Sequence, residues 1–504
     1  MPHVLKDLLS AGAASAPALS APGRAPLSFA GLRQLIDDTL AALNRIGIGR
    51  NDRVAIVLPN GPEMASCFLA CASGVTSAPL NPAYRADEFE FYLSDLNAKA
   101  LIVESGSTSP ALDMAHKLGI RIIELLPTLA DGAGSFTLDV GDGTATTQGG
   151  YALPDDVSMV LHTSGTTSRP KIVPLSQRNL AASARNIRDT LHFRADDCGL
   201  NIMPLFHIHG LIAGVMAPLA AGSQVFCTPG FNALKFFGWM HEAKPTWFTA
   251  VPTMHQVIAA RASKNLEIIA RHPLRFMRSS SSSMPPQVIR DAEAIFGAPL
   301  VEAYGMTEAT HQMASNPLPP AARKPGTVGR AAGPEVAIMG EDGTLLPRGD
   351  TGEIVIRGDN VTTGYESNPK ANAEAFDKGW FRTGDQGVMD AEGYISITGR
   401  LKEIINRGGE KISPREVDEI LMDHPAVAQV VCFGMPHSKL GEEVAACVVL
   451  RGGETVTERG LQDFVGKKAA DYKVPRKILF MDEIPKGATG KLQRIGLAAK
   501  LGLG

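Results

Sequence analysis

The segment LHTSGTTSRPKIV at residues 161–173 runs an apolar stretch into a loop of small hydroxyl residues and glycine, with Lys171 at its far end. Backbone N–H groups and hydroxyls of Thr163, Ser164, Gly165, Thr166 and Thr167 can wrap phosphate oxygens there, while Lys171 supplies positive charge. It is not the usual P-loop, because no Gly-Lys-Ser/Thr follows at the required spacing, and by composition alone it is a Ser/Thr/Gly surface loop. The segment EAYGMTEAT at 302–310 brings Glu302, Ala303, Tyr304, Gly305, Thr307 and Glu308 close together in sequence. Tyr304 can stack on a base and Glu308 can bind Mg²⁺. In WFRTGDQG at 380–387, Asp385 stands behind a Thr-Gly turn, suited to accept hydrogen bonds from ribose hydroxyls, with a plain turn aspartate as the competing reading. GRLKEIINRGGEKISPREV at 399–417 and PKGATGK at 485–491 complete an ordered set.

These loops need strands and helices to hold them. From Ser28 to Ile46, Leu32, Leu35, Ile36, Leu40, Leu43 and Ile46 fall at steps of three and four, which predicts an amphipathic helix with Ser28 as its N-cap. Val54 to Leu58 reads as a short buried strand, followed by a helix from Pro62 and a strand at Ala100 to Val103. The alternation resumes at Met159 to His162, Gln224 to Thr228 and Trp247 to Val251, so the class is α/β with a largely parallel sheet. Near Thr351, GEIVIRG, the turn pair Asp342-Gly343 and GYISITGR predict a small β-rich subdomain. Beyond Arg400, a helix around Pro414 to Met422, the strands VAQVVCFG and VAACVVL, and a helix from Thr457 to Lys468 predict a compact α+β domain of about a hundred residues.

The chain has 504 residues, which at roughly 150 residues per domain allows about three domains and excludes a minimal binding module. Its 49 Lys+Arg against 52 Asp+Glu leave a formal charge of -3, too balanced for the basic field that nonspecific nucleic-acid binding requires. The six cysteines form no Cys-x-x-Cys pair and are too sparse to staple such a chain, which predicts reduced, mostly buried thiols. The longest apolar stretch, Gly210 to Gly222, is broken by Pro218 and falls short of a membrane span, so it reads as buried core. Asp7, Pro17 and Pro22 interrupt any signal-peptide h-region, and the terminal Gly-Leu-Gly is not a Ser-Lys-Leu address, which leaves the cytoplasm as the expected location.

Taken in order, the five segments resemble the adenylate-forming superfamily of acyl-CoA synthetases and adenylation domains. Within it, SGTTSRPK, YGMTEATHQMASNPLP and INRGGEKISP are most similar to the oxalate-CoA ligases. The resemblance implies a large, multi-subdomain AMP-binding N-terminal domain over residues 1–399, a hinge at 400–402 and a mobile C-terminal lid over 403–504. It implies an ATP- and Mg²⁺-dependent acid-CoA ligase that forms an acyl-AMP and then an acyl-CoA thioester. Thr163 to Thr167 and Lys171 would cradle the ATP phosphates, Tyr304 would face adenine within Glu302 to Gly305, and Asp385 and Arg400 would hold the ribose. Glu308 would bind the metal and, with Thr307, serve Mg²⁺ and phosphate. Lys491 would bridge the acyl carboxylate and α-phosphate, and His207 would orient the carboxylate or shape the acyl tunnel. Lid rotation would turn on Lys402 and bring Gly408, Gly409 and Lys411 to the CoA side. The implied partners are a small carboxylic acid, ATP and CoA, with no nucleic acid, membrane or fused carrier protein.

Two departures from the family pattern matter. Ile172 stands where a glycine is usual, and a β-branched residue does not comfortably take positive φ, so either that conformation is not required or the loop closes differently. Ser280-Ser281-Ser282-Ser283 replaces the usual Gly-Ala-Ala-Pro near the acyl pocket, and a hydroxyl-lined wall favours a short polar acid over a fatty chain. A second carboxylate buried unpaired would cost several kcal/mol, and His311 with Ser280, Ser281 and Ser282 can supply donors for it. His311 as a core or helix-terminal histidine remains the plain reading, as does packing for His209. The competing functions are a short- or medium-chain fatty or aryl acid-CoA ligase, and a non-catalytic nucleotide-binding protein.

Overall fold

Ser28 caps the helix Phe29–Arg45 by accepting a hydrogen bond from the Gly31 amide at 3.1 Å, and Leu32, Ile36, Leu40 and Leu43 form its buried stripe. In the computed structural model, which describes residues 3–163, 170–485 and 494–503, the predicted strand–helix alternation is present throughout the first half of the chain. Strands Arg53–Val57, Thr76–Pro79 and Ala100–Glu104 pair in parallel, and their apolar runs are buried on both faces as parallel packing demands. Among the described residues they belong to a seven-stranded sheet that ends in the antiparallel pair Val157–Thr163 and Lys171–Ser176. A second sheet of nine strands is parallel through Cys198–Asn201, Trp247–Ala250, Phe276–Ser279 and Leu300–Met306, then turns antiparallel at His311–Ser315. The stretch expected as buried core is π-helical at His209–Met216, every residue of it buried.

Close contacts divide the chain into two compact units. The first contains residues 1–163, 171–336 and 356–375; the second takes in 337–355 and 376–504. Within the second, strand Trp380–Met389 pairs with Ile395–Arg400, and Asp342-Gly343 makes the predicted tight turn, closed by the Gly343 amide to the Gly340 carbonyl at 3.1 Å. Helix Pro414–Met422 packs with strands Val427–His437 and Gly441–Leu450 over a core of Val417, Leu421, Val430 and Val444. All six cysteines are free and buried. Among the described residues no helix is long and apolar enough to cross a membrane.

Ile172 sits in the strand Lys171–Ser176 opposite His162 and is 8% exposed, in a core with Val160, Leu101 and Phe89. Its backbone is strand, not left-handed, so this position has no need of glycine. Ile172→Gly should therefore destabilise by about 3–5 kcal/mol, combining a buried cavity with glycine's backbone entropy. A urea titration measures this, and an unchanged midpoint would mean the side chain is not packed. A large gain in adenylation rate would instead mark Ile172 as a defect.

Candidate active site

Thr163 and Lys171 face each other across the antiparallel ladder that flanks the phosphate-loop motif. Ser164, Gly165, Thr166 and Thr167 lie outside the described residues. The Lys171 ammonium stands 4.1 Å from the centroid of the Tyr365 ring, a cation–π contact that sets the direction of the side chain. The Tyr365 hydroxyl donates to Glu308 Oε1 at 2.8 Å. Burial and the adjoining carboxylate push that phenol above its ordinary range, so it stays a donor. Glu308 is 6% exposed in the turn Thr307–Ala309. Mg²⁺ is commonly held by one or two carboxylates plus substrate phosphates, and Glu308 with the Thr307 hydroxyl fits that demand.

Tyr304 ends the buried part of strand Leu300–Met306. Gly305 has to be glycine: a Cβ there would lie 1.8 Å from the His311 carbonyl oxygen of the neighbouring strand. Glu302 is committed elsewhere, since its Oε2 accepts from the Gly326 amide at 3.1 Å. Its side chain thus braces the loop after strand His311–Ser315.

Deeper in the same unit lies a cluster that only the three-dimensional fold assembles. Arg278 and Thr249 are register partners on adjacent parallel strands. The Arg278 guanidinium is fully buried; its Nη1 lies 3.3 Å from His209 Nε2, and its Nη2 lies 3.1 Å from His311 Nε2 and 3.3 Å from Gln312 Oε1. The two imidazoles stack with centroids 4.9 Å apart. A guanidinium only donates, so both Nε2 atoms accept from it; His209 Nε2 also accepts from the Thr249 hydroxyl at 2.6 Å, and this arrangement assigns the proton of each ring to Nδ1. Burial, and then the charge of Arg278, hold His311 well below the usual histidine range, and His209 is depressed first by burial, then by His311 and Arg278. Burial also pulls the Arg278 pKa down to about 9, which leaves it charged near neutrality.

His209 Nδ1 meets the Ser281 hydroxyl at 3.0 Å. His209 is therefore buried as expected of a packing residue, and both of its ring nitrogens also make hydrogen bonds. His311 Nδ1 has no hydrogen-bond partner among the described residues, and Asn360 clamps the turn before it through the Ala309 and Gln312 carbonyls. Ser281, Thr310 and His311 adopt positive φ of 74°, 48° and 96°. Such strain in non-glycine residues gathers where function over-determines the backbone. The serine run divides: Ser280 donates to the Ala303 carbonyl at 3.0 Å, Ser281 faces His209, and Ser282 and Ser283 are exposed. His207 is half-buried, its ring 4.5 Å from that of Phe206.

In the second unit, Arg400 Nε donates to Asp385 Oδ1 at 3.1 Å across the pair Trp380–Met389 and Ile395–Arg400. Asp385 is buried with one edge held by an arginine, which orients the carboxylate for hydroxyl donors. Lys402 is exposed in the short turn Leu401–Glu403. Gly408 and Gly409, with φ of 60° and 100°, make the two-residue hairpin loop between Ile405–Arg407 and Glu410–Ile412. Lys411 pairs with Glu341 at 2.9 Å, and Lys491 lies outside the described residues.

The AMP-binding enzyme family matches residues 10–366, and the AMP-binding enzyme C-terminal domain matches 416–491. The chain belongs to the AMP-binding enzyme family. The oxalate–CoA ligase of Arabidopsis thaliana is 46% identical over 486 residues, 95% of this chain and 94% of that protein. The oxalate–CoA ligase of Saccharomyces cerevisiae is 42% identical over 474 residues, 88% of this chain and 86% of that protein. The crystal structure of ATP-bound MatB from Rhodopseudomonas palustris matches with a TM-score of 0.88 at 30% identity, covering 99% of each chain. This AMP-binding enzyme is an acid–thiol ligase that uses ATP, Mg²⁺ and CoA, forming an acyl-AMP and then an acyl-CoA thioester. The non-catalytic reading is set aside.

Sequence reasoning passed over Arg278, Thr249, Gln312 and Tyr365 of this AMP-binding enzyme. One signal was available: Arg278 directly follows the apolar pair Phe276-Met277 within the strand pattern FMRS, where a buried arginine is out of place.

Proposed function

We propose that this enzyme joins oxalate, or another small polar carboxylic acid, to CoA. The observation that carries the reading is His311, buried, neutral and held at positive φ, its Nδ1 without a partner among the described residues and its ring stacked on the His209 that contacts Ser281. A fatty or aryl acid needs an apolar wall, whereas these groups are donors for a polar acid. The oxalate–CoA ligase names of the relatives support the same reading.

In the first half-reaction a carboxylate oxygen of the acid attacks the α-phosphorus, an O–P bond forms, and the bond to the departing pyrophosphate breaks. Thr163 to Thr167 and Lys171 hold the phosphates, Tyr304 faces the base, and Asp385 and Arg400 orient the ribose. Glu308 and Thr307 would hold Mg²⁺, which supplies charge neutralisation at the phosphates. His207 orients the acid, and Lys491 offsets charge between carboxylate and α-phosphate. In the second half-reaction the CoA sulfur attacks the acyl carbon, its proton is lost, and AMP departs. The domain limits we propose are 1–399, a hinge at 400–402 with Lys402 absorbing the rotation, and a lid over 403–504 with Gly408, Gly409 and Lys411 along the CoA path.

Pyrophosphate exchange with a panel of oxalate, malonate, acetate, butyrate and benzoate tests the substrate. Oxalate should give the highest kcat/KM, and a preference for butyrate or benzoate would overturn the assignment while leaving the ligase class. Tyr365→Phe removes the donor to Glu308, a hydrogen bond to a charged group, and should lower kcat/KM for MgATP by about tenfold or more. A change under twofold would mean the phenol does not position that carboxylate.

A further inference from the structure

Arg278 carries a feature the reaction above does not use. Its guanidinium is fully buried, and among the described residues no acidic side chain forms an ion pair with it. Its partners are all neutral: His209, His311, Thr249 and Gln312. Among the described residues its Nε has no hydrogen-bond partner. A buried cation normally recruits a carboxylate, because an uncompensated charge in a low-dielectric interior is costly. A fold that needed only a clamp for two imidazoles could use a neutral donor. The retained charge lacks a counter-ion from the protein, and the groups it touches are those at the acyl site.

We propose that Arg278 is the specificity-determining positioning residue of the acyl site, selecting acids that bring a second negative charge. It acts in two ways. Its charge lies at the Nε2 edges of both imidazoles, within a buried cluster where water screens it little. Its N–H groups also fix both Nε2 atoms as acceptors, so that His311 Nδ1–H, and the Ser281 hydroxyl that accepts from His209 Nδ1–H, remain donors for the remote carboxylate. The inference rests on the acyl-site reading above and adds the charge that makes the site choose a diacid over an equally small monoacid.

The test compares oxalate with oxamate, in which a neutral carboxamide replaces one carboxylate at nearly the same size, by pyrophosphate exchange on the full chain. Wild-type enzyme should favour oxalate in kcat/KM. Arg278→Met should cut the oxalate-to-oxamate ratio by about tenfold or more, chiefly by raising KM for oxalate, and Arg278→Lys should restore part of it. Arg278→Met removes a buried network and can fail to fold, so Gln312→Glu provides the second variant. It keeps the arginine but places a carboxylate where Gln312 Oε1 now lies 3.3 Å from Nη2, supplying the missing counter-ion; it also gives up the amide donations to the Ala332 carbonyl and Thr190, so a thermal melt beside the assay confirms that the variant is folded. The same fall in ratio is expected. A ratio unchanged within twofold in Gln312→Glu, or equal losses for both acids in Arg278→Met, would overturn the proposal while leaving the oxalate reading intact. Wild-type enzyme that activates butyrate or benzoate in preference to both would overturn the oxalate reading itself.

Discussion

Lys491→Ala should suppress acyl-AMP formation by about a hundred- to a thousandfold, the scale of removing one preorganised charge-stabilising donor from a transition state. A carboxylate approaching triphosphate meets like charge, and the pentavalent α-phosphorus gathers more of it as pyrophosphate begins to leave. A lysine set between the acid and the α-phosphate offsets that charge where it develops. Lys491 lies outside the described residues, so the expectation comes from the PKGATGK segment within a matched C-terminal domain spanning 416–491. The second half-reaction has no such need, because the acyl-AMP is already formed and the sulfur attacks a neutral carbonyl. Thioester formation from supplied acyl-AMP should fall far less, and single-turnover assays of each step separate the two. Equal losses would mean that the lid does not present different faces to the two reactions.

His311→Ala should lower kcat/KM for oxalate by about ten- to a hundredfold, since a hydrogen bond to a charged group contributes roughly 1.5–3 kcal/mol. The residue is held by its own strand, by the Arg278 contact at 3.1 Å and by the ring of His209, so its Nδ1 is aimed before substrate arrives. Acetate and butyrate have no second carboxylate for it to meet and should be affected much less. Comparable losses for mono- and diacids would make His311 a packing residue and remove the main support for a polar acid.

The helix from Ser28 and the α/β alternation were legible because each rests on periodicity within a single window of sequence. Membership of the AMP-binding enzyme family was legible for a similar reason, since the motif segments that carry it are short runs of hydroxyls, glycine and lysine. The Arg278 cluster was not, because its members come from positions 209, 249, 278, 311 and 312, on a π-helix, two adjacent parallel strands and an antiparallel strand that only the folded chain brings together. Ser281 and Ser282 look equivalent in a run of serines. In the fold Ser281 takes a positive φ and meets His209, while Ser282 is exposed. Glu302 stands within the expected nucleotide-binding segment, and its contact to the Gly326 amide, 24 residues away, is set by the fold and not by local sequence. Tyr365 is remote in sequence from both Lys171 and Glu308, yet its ring and hydroxyl touch the two.

The most direct test of the account is to incubate the full chain with MgATP, CoA and oxalate and to quantify nucleotide and thioester products by chromatography and mass spectrometry. AMP and oxalyl-CoA should form in equal amounts, with both depending on oxalate. ADP as the nucleotide product, or AMP formation indifferent to oxalate, would contradict it.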